Sequence, residues 1–248
     1  MIDRFESHIQ AMQMLSRAQE VTADNLANLQ TPGFKGSRFI QELATEMENG
    51  VPVDRPAGRT TVQMTQGVLE STGNPLDLGI DGEGFFVIDQ DGQRLLTRDG
   101  RFHLNPDGEL VDGRGGKVVG TDGPVQIPEV FHGLEESGRA GILEIAADGT
   151  LRIDDEIQGR LQLARVEDPS SLERQGRGYF RSDRANFEWE NADGESRIHQ
   201  GYVEKANVEP LQEMVAMMKT MQLFEAQQRA LQSSDEMLGQ ANQSLGRF

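Results

Sequence analysis

The chain has 248 residues, 36% of them hydrophobic, and its 41 acidic and 24 basic side chains give a formal charge of −17. That length admits one large domain or two ordinary ones, and the charge repels phosphate backbones and anionic headgroups, which sets nucleic acid aside as a partner. Cysteine is absent, so disulfides, thiolate chemistry and cysteine–zinc sites are excluded together.

The chain opens Met1-Ile2-Asp3-Arg4-Phe5, without the apolar core of a secretory signal. The expectation is a cytoplasmic protein, or one exported by a route that reads no cleaved signal. No stretch approaches the roughly 18 consecutive apolar residues of a membrane span, so direct membrane insertion is not expected.

Residues 1–31 contain neither glycine nor proline. Their apolar side chains, Ile2, Phe5, Ile9, Met12, Leu15, Ala18, Leu26 and Leu29, recur at steps of three and four, with Thr22 keeping the spacing. This predicts one amphipathic helix of about 45 Å at about 1.5 Å per residue. Thr31-Pro32-Gly33 ends it. Proline disfavours helical geometry at the residue before it, and Pro-Gly suits the middle of a type II turn.

Residues 32–75 carry Gly50, Pro52, Pro56 and Gly58 and read as an extended connector with a short helix near Phe39–Met47. The texture then changes. Asp-Gly pairs at 81–82, 91–92, 99–100, 107–108, 112–113, 122–123, 148–149 and 193–194 separate short apolar runs such as Phe85-Phe86-Val87-Ile88 and Leu161 to Val166. That alternation is a hairpin signal and predicts a central all-β domain over 76–203.

The last segment, 204–248, is helical again, with Asn207 as its expected N-cap and Pro210 in its first turn. Met217, Phe224, Leu231, Leu238 and Leu245 keep a seven-residue period; a second seam runs Met214, Met221, Gln228, Asp235, Asn242. Isolated helices are marginal in water, so each terminal helix needs a partner. The expected class is therefore α+β: long N- and C-terminal helices pairing as a coiled-coil-like layer, with a central all-β domain of short antiparallel strands. Met214, Met217, Met218 and Met221 suit either an internal core or a surface that fits several slightly different neighbours.

No catalytic, cofactor-binding or metal site is expected. His8, His103, His132 and His199 share no metal-ligand spacing, and Val87 stands where the third glycine of Gly82-Glu83-Gly84 would complete a dinucleotide loop. Asp89-x-Asp91-Gly92 opens like a calcium loop but lacks its closing glutamate, so a hairpin turn is the simpler reading. Two function classes remain: a self-associating structural subunit, or a ligand-binding β module dimerised by its helices.

Four stretches in order carry a resemblance: 24–35 (DNLANLQTPGFK), 75–88 (PLDLGIDGEGFFVI), 96–111 (LTRDGRFHLNPDGELV) and 201–238, which begins GYVEKANVEPLQEM. Together they resemble the bacterial flagellar rod and hook proteins. Gly120 to Pro128 is most similar to the proximal-rod branch, with the distal-rod branch next. Asp24 stands for the family's first asparagine, and Met221 to Glu225 keeps the family's aromatic–Glu pair without its arginine.

The resemblance implies a non-enzymatic rod subunit without cofactors, exported through the flagellar type III apparatus without a cleaved signal and located in the periplasmic basal body. It implies copies of itself and other flagellar rod proteins as partners, assembling into a helical tube. Phe5, Ile9, Met12, Leu15, Leu26, Leu29, Met214, Met217, Met221, Phe224, Leu231, Leu238 and Leu245 are the expected assembly interface. Asn25, Leu26, Ala27, Asn28, Thr31, Pro32, Gly33, Phe34 and Lys35 form the family motif, where the resemblance implies that the chain turns out of the helical layer.

Overall fold

The structure, a computed structural model, describes residues 2–48, 51–127, 143–154, 156–166, 168, 172–176, 178–181, 187–189 and 196–245. Two units divide the chain: 1–27, 37–63 and 208–248 form a terminal unit, and 28–36 with 64–207 form a β unit.

The terminal unit holds the two helices found among the described residues, α1 (Ile2–Ala27) and α2 (Pro210–Leu245). At about 1.5 Å per residue they run about 39 and about 54 Å. They lie against each other, and His8 Nδ1 donates to Gln227 Oε1 at 2.9 Å. Neither helix is long and apolar enough to cross a membrane. Between them in sequence, β1 (Ser37–Glu48) and β2 (Val51–Val62) pair antiparallel from Ser37↔Val62 to Glu48↔Val51, and both touch α1.

This overturns the expected fold class. The helices do not form a coiled-coil-like layer by themselves, because a two-stranded ribbon of 12-residue strands belongs to the same unit. Only one of the two heptad seams of α2 is covered. Met217, Phe224 and Leu231 are half-buried on the side that carries Gln227, whereas Met214 and Met221 of the second seam are 51% and 46% exposed. The central all-β part of the expectation fits: the long strands belong to the terminal unit, and the strands of the β unit are short.

The ribbon also replaces the short helix expected near Phe39–Met47. A two-stranded ribbon asks each strand to donate hydrogen bonds on one side only, so Pro52 and Pro56 are tolerated in β2. The Phe39 ring crosses to lie where a side chain on Gly58 would stand, 2.1 Å from that Cβ position. Strand pairing thus supplies partners that an isolated one-turn or two-turn helix would lack.

The β unit contains no helix among its described residues. Its first strands are β3 (Leu69–Ser71), β4 (Leu78–Asp81), β5 (Phe85–Gln90), β6 (Gln93–Thr97), β7 (His103–Leu104) and β8 (Leu110–Val111). Next come β9 (Lys117–Gly120), β10 (Gly123–Pro124), β11 (Leu143–Ile145), β12 (Thr150–Ile153), β13 (Glu156–Arg160) and β14 (Leu163–Val166). The last are β15 (Glu173–Arg174), β16 (Tyr179–Arg181), β17 (Phe187–Trp189), β18 (Arg197–Gln200) and β19 (Tyr202–Glu204).

The largest sheet runs β15-β16-β6-β5-β9-β8-β7, with β10 added to β9 and β14 bridging β5 and β17. Beside it lie a three-stranded sheet, β11-β12-β13, and the pairs β18-β4 and β19-β3. Leu78, Ile80, Phe86, Leu110, Leu151 and Ile198 are among the buried residues of one continuous core.

The Asp-Gly reading holds at 91–92, 107–108, 112–113, 122–123 and 148–149, which fall at the turns between paired strands, but not at 81–82, where β4 pairs with β18 rather than β5, nor at 99–100, which lies in no turn. β5 and β6 are joined by Asp91-Gly92 alone, with φ of 53° and 80°, and Gln90 pairs with Gln93. Both signs match the two-residue type I′ loop whose twist suits a hairpin. Asp89 Oδ1 accepts the Gly92 N–H at 2.9 Å, so this carboxylate serves the turn. Asp193-Gly194 lies outside the described residues.

Candidate functional site

The family motif becomes two separate pieces of polar construction, one in each unit. In the terminal unit, Asn25 near the end of α1 is 2% exposed. Its Nδ2 donates to Ser37 O at 2.8 Å and its Oδ1 accepts Ser37 N–H at 2.8 Å. One side-chain amide therefore does for Ser37 what a neighbouring strand would do, at the residue where β1 begins.

In the β unit, the segment 28–36 opens with Asn28, which is 1% exposed and whose Oδ1 accepts from Thr31 Oγ1 at 3.3 Å. Phe34 N–H then bonds to Thr31 O at 3.2 Å across Pro32-Gly33, and Gly33 has φ of 67°. That is the expected type II geometry. A Cβ on Gly33 would stand 2.2 Å from the backbone of Arg98 and Asp99, so close approach as well as φ requires glycine here.

Beyond the turn, Phe34 and Lys35 are 0% and 1% exposed. Lys35 Nζ lies 2.6 Å from Glu204 Oε1 and donates to Thr65 O at 2.9 Å. Arg98 bonds to Glu204 Oε2 at 3.2 Å and to Gly82 O at 2.6 Å. Glu204 Oε1 also takes the Gly67 N–H at 2.6 Å, and Glu204 O takes that of Gly33 at 2.7 Å. One buried carboxylate thus answers two cations and one length of backbone, and the main-chain carbonyl of the same residue takes a second length.

Burial is the main reason that the Lys35 ammonium sits below the usual lysine range; Glu204 opposes this and Arg98 adds to it. Arg174 in β15 donates to Lys35 O and lies 4.7 Å over the Phe34 ring and 5.6 Å over Phe180. Asn207 completes the clasp. It accepts from Gly36 N at 2.7 Å, donates to Thr65 O at 2.8 Å, and its own N–H reaches Phe34 O at 3.3 Å.

Asn207 is therefore not the cap of α2, which starts at Pro210 with Glu209 O accepting the Glu213 N–H at 3.1 Å. Glu204, Arg98 and Arg174 were not singled out from sequence. Arg98 and Glu204 fall inside two of the quoted family stretches, and that was their one signal.

The other expected positions are plainly placed. Thr31 and Pro32 are half-buried, Gly33 is buried and Ala27 is exposed. Met12, Leu15, Leu26 and Leu29 are half-buried, and Ile9 is 40% exposed. Phe5, Leu238 and Leu245 lie on the two helices, but their side chains fall outside the described residues. Among the described residues no group of three or more histidine and acidic side chains could hold a metal ion.

These polar groups hold one length of the chain to another. Residues 5–35 match the family model described as "Flagella basal body rod protein", 79–153 match "Flagellar hook protein FlgE/F/G D1 domain", and 199–244 match "Flagellar basal body rod FlgEFG protein C-terminal". The flagellar basal-body rod protein FlgF of Salmonella typhimurium is 35% identical over 250 residues, 92% of each chain. FlgF of Caulobacter vibrioides is 29% identical over 244 residues, 94% of each. FlgG of Borreliella burgdorferi is 30% identical over 249 residues, 90% of this chain and 91% of that one. The class is that of an axial structural subunit. The chain belongs to the flagellar basal-body rod protein family, and its likeness is to the members named FlgF.

Proposed function

We propose that this chain is a proximal-type subunit of the flagellar rod that joins copies of itself and other rod proteins through faces of its two terminal helices. The observation that supports this reading is the two-sidedness of α2. One side carries the half-buried Met217, Phe224, Gln227 and Leu231. On the opposite side Leu211, Met214, Val215, Met218 and Met221 recur at steps of three and four and are 74, 51, 37, 56 and 46% exposed. Covering such side chains contributes about 1.5–3 kcal/mol each when burial is complete. Methionine, with its unbranched side chain, adapts to neighbours of slightly different shape, as a mixed rod requires.

The stripe of α1 with Phe5, Ile9, Met12, Leu15 and Leu26 joins the same interface in this reading, as do Leu29, just beyond the end of α1, and Leu238 and Leu245 at the far end of α2. The proximal position rests on the likeness to FlgF and on Gly120 to Pro128. Passage through the flagellar type III apparatus, without a cleaved signal, to a periplasmic rod rests on family membership. No catalytic role enters.

Met218→Glu tests the interface, because its side chain is 56% exposed and the substitution disturbs little inside the subunit. Sedimentation velocity of the full chain, alone and mixed with other rod proteins, should show association that the variant loses while its thermal midpoint stays put. A wild-type chain that never associates, alone or mixed, overturns the proposal.

A further inference from the structure

The exposed face of α2 is rich in sulfur. Of the methionines whose side chains are described, Met12, Met14, Met64 and Met217 are half-buried, whereas Met214, Met218, Met221 and Met237 are 51, 56, 46 and 66% exposed. Met214, Met218 and Met221 follow one another at steps of four and three, which places them on one face of the helix. Met237 lies more than four turns farther along and off that line.

We infer that Met214, Met218 and Met221 form a peroxide-sensitive modification site, whose oxidation to the sulfoxide withdraws the unassembled subunit from association. The second half of this inference rests on the association reading above. In the reaction the thioether sulfur attacks one oxygen of hydrogen peroxide, the O–O bond breaks and an S–O bond forms. Sulfur loses two electrons to the peroxide, whose other oxygen leaves as water with both protons. Susceptibility follows access of the oxidant to the sulfur, and the product is a polar, strongly hydrated group on a side chain that association would bury. The step is reversed by the two methionine sulfoxide reductases, one for each epimer.

The site works as a switch for geometric reasons. Three successive sulfurs share the stripe with Leu211 and Val215, so a sulfoxide at any of them interrupts a contact of about three turns. Once subunits have joined, the same sulfurs are covered and the oxidant no longer reaches them. The free subunit is the sensitive form.

The test uses the full chain. Dilute hydrogen peroxide is applied for graded times and quenched with free methionine, and each sulfoxide is quantified by peptide mass spectrometry. Met214, Met218 and Met221 should oxidise roughly threefold or more faster than Met217. Sedimentation velocity should show association falling in step with their oxidation and returning after treatment with both reductases. The triple replacement of Met214, Met218 and Met221 by leucine should make the ratio of treated to untreated association stay near one, whatever its untreated level. Met237→Leu should leave the sensitivity as it was.

Equal oxidation rates at Met217 and at the three exposed positions overturn the site. Undiminished association of the fully oxidised protein overturns its consequence. Failure of the untreated protein to associate sinks the interface reading instead, and the mass spectra then decide the site by themselves.

Discussion

Glu204 is the residue on which the clasp of the β unit turns. Its two carboxylate oxygens receive Lys35, Arg98 and the Gly67 N–H, and both cations are buried with it. Replacing a buried ion group with apolar side chains is often neutral, but removing one member leaves the others charged and uncompensated. Glu204→Ala should therefore cost about 3–5 kcal/mol of unfolding free energy, read from urea titrations followed by circular dichroism. An unchanged urea midpoint would mean that the cluster contributes nothing to stability. Lys35 adds a pH dependence of defined sign. Its folded value lies below the unfolded 10.5, so between the two the unfolded chain binds more protons, and stability rises with pH through that window. Tyr179 acts in the other direction. Its hydroxyl is buried against Asp112 at 2.7 Å and held protonated, so its loss of stability starts only above about pH 10. As the pH approaches about 10 from below the urea midpoint should climb, and Lys35→Met should flatten that climb.

At the scale of elements, the connections matter more than the helices they join. Asn25 hands both of its amide groups to Ser37, which ties the end of α1 to the start of the ribbon. Asn25→Ala removes both of these hydrogen bonds to the Ser37 backbone and should cost about 1–3 kcal/mol. Amide exchange at Ser37 and along β1 should quicken while exchange in β5 and β6 stays slow; equal quickening in both places would contradict a local role. Gly33 presents the matching case in the β unit. Gly33→Ala forces a side chain into left-handed backbone and into the Arg98–Asp99 peptide 2.2 Å away. The segment 33–36 should lift from its bed, exposing Phe34 and raising dye binding at a temperature where the wild type shows none. The Asp91-Gly92 turn was legible in sequence because a two-residue loop carries its whole instruction in two residues. The ribbon was not: its prolines and glycines read as a connector until β1 and β2 are seen to pair.

The whole molecule carries a charge of −17, so copies that associate through apolar helix faces do so against mutual repulsion. Salt screens that repulsion over a Debye length near 10 Å at 0.1 M. Raising ionic strength from about 0.02 to about 0.3 M should therefore strengthen self-association, measured as a falling dissociation constant by sedimentation equilibrium; weakening would point to ion pairs across the contact. The period of the apolar residues determined both terminal helices, and the turn chemistry determined a β-rich middle and a turn at Pro32-Gly33, although α1 itself ends earlier, at Ala27, and not at residue 31 as its spacing suggested. These are local instructions, complete within a few residues. Which groups hold the segment after that turn was decided by tertiary structure alone, since Lys35 meets Glu204 across 169 residues and Asn207 left its expected cap for the same clasp. Likewise the α2 sequence announced two seams but not which of them the rest of the chain would cover. A side chain's partners depend on what the folded chain brings near it, and no periodicity within one element records that.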